Sequence, residues 1–582
     1  MRFLLCLLLL LSSSAAFAKS WKVAVLYWSM KIEGQVAMRK GFEEQVHQFN
    51  TQNKGKDSIE LIPFIAGEGR KGIINQVQQL KQALMKKPDA IVIQPTDNSA
   101  LAEGLQEANL EKIPVIAYDQ YIVNGNLTAF LSSANYHGGR DNGDYLDSLF
   151  KKDLSIRIAV FEYPAVSSTT ERVDGFFDSL RGRGRKFEVV GRYQAVDPES
   201  GREAAKKFLK EFPKKNSVDV VLTVNDGGGL SIVKELFAQK RDEIKHVTFD
   251  GDPESVENIK AERLTVIDSA QFCAELGRES ARTLISIMRG QPVNKKSRVP
   301  TYPITKQTVK EYPGWLGVPS EKLRKGLEKT PVHIVRAEKN KNQKQILRIG
   351  TAPLCPYVCE KSPGIWTGYL FDILGEVAKD LNVELRLENV PNSRLVQYLE
   401  SRRLDYIIVP EFIVRYLPEI AVVGPQLGVN YTGALISSKN KPALLDRQAL
   451  ATMKGMYSDF GVGSGLSEAD FATLKLNKIT GADVADRMIR SILEHRADIA
   501  LGDYNVLRYS MADQQSEPQL KLLPTSLTGF SFLVLVGLPR NNQVRVLGDG
   551  LEKWFAGARR SAHLESILRK YNLTDWDILA RD

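Results

Sequence analysis

Asp119 stands directly after the apolar run VIAY, where a carboxylate at a strand end can accept hydrogen bonds from a polar solute. That is binding chemistry, not catalysis. Cys355 and Cys359 of CPYVC also have chemistry in their spacing. Pro356 excludes an ordinary helix there, and the separation lets the sulfurs meet in an oxidising compartment, which predicts a disulfide. The rival reading, half of a metal site, needs further Cys or His, and the 6 His are scattered without HxxxH or HExxH pairing. Cys273 is then expected as a buried free thiol. Hydrolytic and nucleotide motifs fail: GVGSGLSEADF lacks the GxSxG spacing around Ser464, and the GGG at 227–229 follows a strand but is no GxGxxG. There is no Walker loop, and carboxylate pairs among 69 acidic residues decide nothing. No catalytic residue, metal ligand or cofactor is assigned, and the chain is expected not to be an enzyme.

The elements that must position Asp119 lie in DAIVIQPTDNSALAEGLQEANLEKIPVIAYDQ. AIVIQP and PVIAYD are nearly all apolar and branched, as strands buried on both faces of a parallel sheet must be. Between them a helix is capped by Asp97, Asn98 or Ser99 and carries Ala100, Leu101, Leu105 and Ala108 at helical spacing. The three pieces make one right-handed βαβ unit. Strand and helix alternate in this way from Trp21 to Gln271, too often for one ordinary sheet, so two Rossmann-like lobes are expected. Residues 313–345, with PGWLGVP and AEKNKNQKQ, form a junction. At Ile346 the pattern restarts with ILRIGTAP, TGYLFDILGEVAKDLN and VELRLENVP.

The first 18 residues, MRFLLCLLLLLSSSAAFA, have one Arg, an apolar run and an AxA ending, which predicts a secretory signal cleaved after Ala18 and export to the periplasm. No later stretch approaches the length of a membrane span, and the remaining chain is too long for one core. Of the formal charge of +10, a surplus of five lies in 321–345, eight Lys or Arg against Glu321, Glu328 and Glu338. A solvated linker accounts for it. The interleaving of aromatic and basic residues that marks nucleic-acid binders is absent, so no nucleic-acid partner is expected.

The segments VIQPTDNSAL, IPVIAYDQ, ERVDGF, VVLTVNDGGGLSIVKEL, VTFDGDPESVENI and LTVIDSAQFCAELGRESA follow in the order seen in type I periplasmic sugar-binding proteins of the ribose-binding kind, which residues 19–312 resemble. The resemblance implies two lobes joined by three crossovers, closing over a solute in the cleft between them. It also implies that Asp119, Asn225, Asp250 and Gln271 supply polar contacts, with Trp28 as the one nearby large ring. Carboxylates and amides suit paired hydroxyls, and a ring suits a sugar face. Two positions depart from the pattern: Gln120, and Thr169 with Thr170, stand where ribose binders carry Arg.

GTAP, TGYLFDIL, LDYIIVP, GVGSG and ADIALGDYNVL, within 346–582, resemble type II solute-binding proteins of the polar amino-acid kind, with GVNYTGALISS and GFSFLVLVGLPRN as crossing strands. The resemblance assigns Arg415 to a ligand carboxylate and Asp503 to an ammonium, and Tyr357 and Trp366 to the walls. A guanidinium fork matches a carboxylate, and a buried carboxylate suits an amine. The expected fold is α/β throughout: two periplasmic-binding-protein modules in tandem, each of two Rossmann-like lobes with a hinge and a cleft. The expected function is capture of small polar solutes, sugar-like in the first module and amino-acid-like in the second, by lobe closure. A membrane sensor would read the closed form; the alternatives are the permease of an ABC uptake system and, ranked below it, a cell-wall-associated enzyme or a degenerate scaffold.

Overall fold

The computed structural model describes residues 19–328, 345–458 and 473–577, apart from positions 55, 164–165, 363, 391, 416, 418, 440–441, 443, 480–483, 514–517, 539–541, 559–562 and 575–576. The expected signal peptide, residues 329–344 of the basic junction and GVGSG at 461–465 lie outside the described residues.

In the first half strands and helices alternate, except that Ala129–Ser133 directly follows Val115–Tyr118 and Tyr302–Thr305 directly follows Lys296–Val299. Its strands are β1 (Ser20–Tyr27), β2 (Ser58–Ile65), β3 (Ala90–Ile93), β4 (Val115–Tyr118), β5 (Ala129–Ser133), β6 (Ile156–Glu162), β7 (Phe187–Gln194), β8 (Val220–Thr223), β9 (Lys245–Asp250), β10 (Thr265–Ala270), β11 (Lys296–Val299) and β12 (Tyr302–Thr305). Between them run α1 (Glu33–Gln52), α2 (Gly69–Met85), α3 (Ala102–Leu110), α4 (Asn135–Ser148), α5 (Ser167–Gly182), α6 (Pro198–Glu211), α7 (Asp226–Ala238), α8 (Pro253–Lys260) and α9 (Cys273–Met288). Two sheets result, ordered β11-β5-β4-β3-β1-β2 and β12-β10-β9-β8-β6-β7. The first is parallel throughout, and the second is parallel except for β12. The chain passes from the first sheet to the second after β5, returns before β11 and leaves again for β12, giving three crossovers.

The reason is visible in the strands. Each residue of AIVI in β3, VIAY in β4 and VVLT in β8 is buried, because helices cover both faces. Along β1, Val23, Val25 and Tyr27 enter one apolar cluster while Ala24 and Leu26 enter another, the two-residue period of a strand between two cores. Helix α5 lies against α4 at a crossing that only glycine permits. A Cβ on Gly175 would come within 2.0 Å of the Tyr136 carbonyl oxygen, and one on Gly139 within 2.3 Å of that of Arg172. This close crossing fixes the start of α5, which faces the cleft described below.

The second half is built on one continuous sheet. Its strands β13 (Gln345–Thr351), β14 (Cys359–Ser362), β15 (Ile365–Thr367), β16 (Val383–Asn389), β17 (Tyr406–Pro410), β18 (Ala421–Val422), β19 (Gly428–Ser437), β20 (Gly455–Ser458), β21 (Leu476–Ile479), β22 (Ile499–Asp503) and β23 (Leu520–Gly537) include a separate hairpin, β14 with β15. The sheet order is β16-β13-β17-β23-β19-β22-β20-β21. The expected crossing strands GVNYTGALISS and GFSFLVLVGLPRN fall in β19 and β23, and the sheet is continuous because these two strands run from one side of it to the other. Their pairing jumps from Tyr431 opposite Phe530 to Thr432 opposite Thr525, and this break in register divides the sheet into two sides.

The two halves touch through buried groups on one side and partly exposed ion pairs on the other. The Arg415 Nε donates to Asp174 Oδ1 at 2.6 Å, and both side chains are at most 1% exposed. Arg181, also on α5, donates to the carbonyls of Val414 and Leu417 at 2.9 Å and to that of Arg415. From the first sheet's side, Asn124 donates to the Tyr504 hydroxyl at 2.6 Å, and Glu103 pairs with Lys521 and Arg70 with Asp446. The second half therefore holds both lobes of the first.

Candidate functional site

Four strand ends of the first half converge on one cleft. Trp28 follows β1, Asp119 follows β4, Asp250 ends β9 and Gln271 follows β10, and all line the same cavity as Asn225 at the head of α7. Two of these carry backbone strain: Asp119 has φ of 66° and Asp250 of 111°, positive values that cost a non-glycine residue roughly 1–3 kcal/mol. The strain turns both carboxylates out of their strands toward the cleft. Gln94, after β3, donates to Asp119 at 3.0 Å; Gln271 donates to Asp250 at 2.7 Å and accepts from Ser133 at 2.7 Å. Asn225 lines the cavity as the cap of α7, accepting from Gly228 N at 3.2 Å and donating to the Val196 carbonyl at 2.8 Å.

The lobes are drawn together. Gln120 of the first lobe donates to Ser168 of the second at 2.8 Å, and Tyr121 N donates to the Ser167 hydroxyl at 3.1 Å. The cavity they leave is about 40 Å³, room for a few water-sized groups, so a larger solute must enter with the lobes parted. Its charged side chains are Asp119, Asp250 and Arg172. Burial pushes the Asp119 carboxyl up, against the lowering effects of the Gln94 hydrogen bond and the Arg172 charge. Two carboxylates to one guanidinium disfavour an anion and suit a neutral, hydroxyl-rich solute.

Arg172 is the residue that sequence reasoning missed. It sits on α5, 2% exposed, and donates to Asp250 at 3.0 Å, to Asn135 at 2.9 Å and to the Val224 carbonyl at 2.6 Å. Thr169 and Ser168, one turn earlier, complete that wall.

The second half's candidates are dispersed. Tyr357 is a buried brace: its hydroxyl donates to the Val429 carbonyl at 3.1 Å and accepts from Asn505 at 2.6 Å. Trp366, on β15, packs against the core around Leu370 and Leu374. Asp503 ends β22, accepts from Asn430 at 2.6 Å and from Val506 N at 2.9 Å, and burial pushes its carboxyl up to about 7. Arg415, the expected carboxylate clamp, grips a carboxylate of the chain itself, Asp174. The structure thus brings Asp503 near Tyr357 but turns Arg415 to the first half. Cys355 and Cys359 are disulfide-bonded and Cys273 is a buried free cysteine.

Comparison with known proteins covers the first half. The periplasmic binding protein domain family matches residues 23–292. The ribose import binding protein of Salmonella typhimurium is 27% identical over 221 residues, 37% of this chain and 71% of the relative. That of Bacillus subtilis is 24% identical over 269 residues, 46% of this chain and 81% of the relative. Among solved structures, an ABC transporter solute binding protein from Bacillus halodurans with bound myo-inositol is 20% identical, covering 50% of this chain and 97% of its own at a TM-score of 0.44. One from Agrobacterium vitis with bound allitol is 22% identical, covering 50% and 98% at 0.45. The sheets, the crossovers and the family match agree: the first half of this chain is a type I periplasmic binding protein module of the ribose-binding-like kind.

Proposed function

We propose that the chain is a non-enzymatic receptor whose first half closes over a neutral sugar or polyol. The observation that carries this reading is the convergence of Trp28, Asp119, Asn225, Asp250 and Gln271, with Arg172, on one cleft between two lobes. Asp119 and Asp250 accept from ligand hydroxyls, Gln271 and Arg172 donate, and Trp28 covers an apolar ring face. Ligand contacts from both lobes favour the closed form. Gln120, and Thr169 with Thr170, standing where ribose binders carry Arg, support a solute other than ribose itself. The periplasmic family of the first half supports export, and no helix among the described residues is long and apolar enough to cross a membrane.

The closed form is presented to a membrane sensor. Support comes from the second half, which grips both lobes through Asp174 and Asn124 and so gives a partner a surface that changes with closure. Delivery to an ABC permease is the second reading, favoured by the names of the relatives, which are import binding proteins. Thermal-shift screening of the mature chain tests the binding claim. At a hundredfold excess over its dissociation constant a ligand stabilises by about 2.7 kcal/mol, and Asp250→Ala should abolish that shift. Consumption of the compound would instead show an enzyme.

A further inference from the structure

A larger cavity, about 440 Å³, lies between the two halves, within the size range of small-molecule sites. The first half contributes the apolar Tyr121 and Val123 beside the amides of Gln106, Asn109, Asn124 and Asn126, and the second contributes the ionic wall of Arg508, Asp577 and Tyr431. Three observations mark it as a site. The Tyr431 hydroxyl is buried and has no hydrogen-bond partner among the described residues. The charges of Asp577 and Arg508 both act on that phenol. Arg508 and Asp577 stand 3.6 Å apart, beyond hydrogen-bonding distance, and Arg508 makes one long bond of 3.3 Å, to the Asn572 carbonyl, among the described residues. A buried hydroxyl without a partner is costly unless a ligand supplies one.

We infer that this inter-module cavity binds an α-amino acid with an apolar side chain, its carboxylate on Arg508 and Tyr431, its ammonium on Asp577 and its side chain against the buried Tyr121 and Val123. The inference keeps the amino-acid-like ligand expected for the second half but places it away from Arg415 and Asp503, and it does not depend on the sugar cleft. A guanidinium and a carboxylate side by side match the two charges of a zwitterion, and the phenol donates to the remaining carboxylate oxygen.

The test is calorimetric titration of the full mature chain with L-leucine and L-phenylalanine, and with 3-phenylpropionate and phenethylamine, which each lack one of the charges. One of the amino acids should bind in a single class of sites, and both single-charge analogues should bind at least about tenfold more weakly. Arg508→Gln should weaken the amino acid by a similar factor. Tyr431→Phe removes only a hydroxyl without a partner, so it should leave the unliganded melting temperature unchanged or higher while weakening the amino acid. Asp119→Ala, in the other cleft, should leave amino-acid binding unchanged. If neither amino acid binds, if 3-phenylpropionate binds as well as L-phenylalanine, or if Tyr431→Phe binds as wild type does, the assignment is wrong. Failure of sugars to bind in the same preparation would overturn the cleft reading alone.

Discussion

Replacing Asp174 by Ala tests whether the two halves act as one body. In the folded chain Asp174 and Arg415 form an ion pair with both side chains at most 1% exposed, and Arg181 ties the same helix to the carbonyls of Val414, Arg415 and Leu417. The alanine variant leaves the Arg415 charge buried without this partner, at a cost of about 3–5 kcal/mol. A chain of several domains does not unfold in one step, so the cost is best read locally, by hydrogen exchange. Peptides covering 167–182 and 411–423 should exchange roughly 10²- to 10⁴-fold faster in the variant, while those of the β1 to β4 core keep their protection. Pairing Asp174→Leu with Arg415→Met should restore most of the protection, because a buried ion pair can be replaced by apolar groups at little cost. Exchange within about threefold of wild type in Asp174→Ala would refute the reasoning: the pair would then be open to water and the docking would rest elsewhere.

Gly175→Ala places a methyl 2.0 Å from the Tyr136 carbonyl oxygen, so α5 must move from α4; we expect a loss of about 1–3 kcal/mol of local protection, read by hydrogen exchange over 135–148 and 167–182, together with weaker solute binding, and unchanged exchange would show that the crossing yields freely. Asp503 supplies a pH signature. Its folded pKa, about 7, lies above the unfolded value of about 3.9, so its contribution is most favourable while both states are protonated. That contribution declines as pH rises from about 4 to about 7, by at most about 1.4 kcal/mol per pH unit, and is flat above. The stability of wild type minus that of Asp503→Asn should therefore fall through this window; a difference constant with pH means that Asp503 is ionised throughout. Replacing Cys355 and Cys359 together by Ser opens a short loop and should cost about 2 kcal/mol, measured against wild type with and without reductant; equal stability of all these forms would show that the bond does not hold the folded state.

The cleft of the first half was legible because each of its strand-end residues follows a run that must be buried on both faces, as VIAY does before Asp119. Arg172 carried no such mark. It lies within ERVDGF inside α5 rather than at a strand end, and it reaches the cleft through the length of its side chain. Asn225 shows why a residue type does not settle a role: the amide that faces the cleft also caps α7. In the second half the crossing strands were readable, but the direction of Arg415 was not. Its partner Asp174 is 241 residues earlier, and no local pattern encodes a contact at that separation. The same holds for the cavity around Tyr431, whose walls come from both halves.

Titration of the mature chain and of Asp119→Ala with a panel of neutral monosaccharides and polyols addresses the central claim most directly. The account predicts saturable one-to-one binding of at least one compound by wild type, and a loss of about tenfold or more in the variant, since a hydrogen bond to a charged group is worth roughly 1.5–3 kcal/mol. Binding that survives Asp119→Ala unchanged, or preference for anionic solutes over neutral ones, would contradict it.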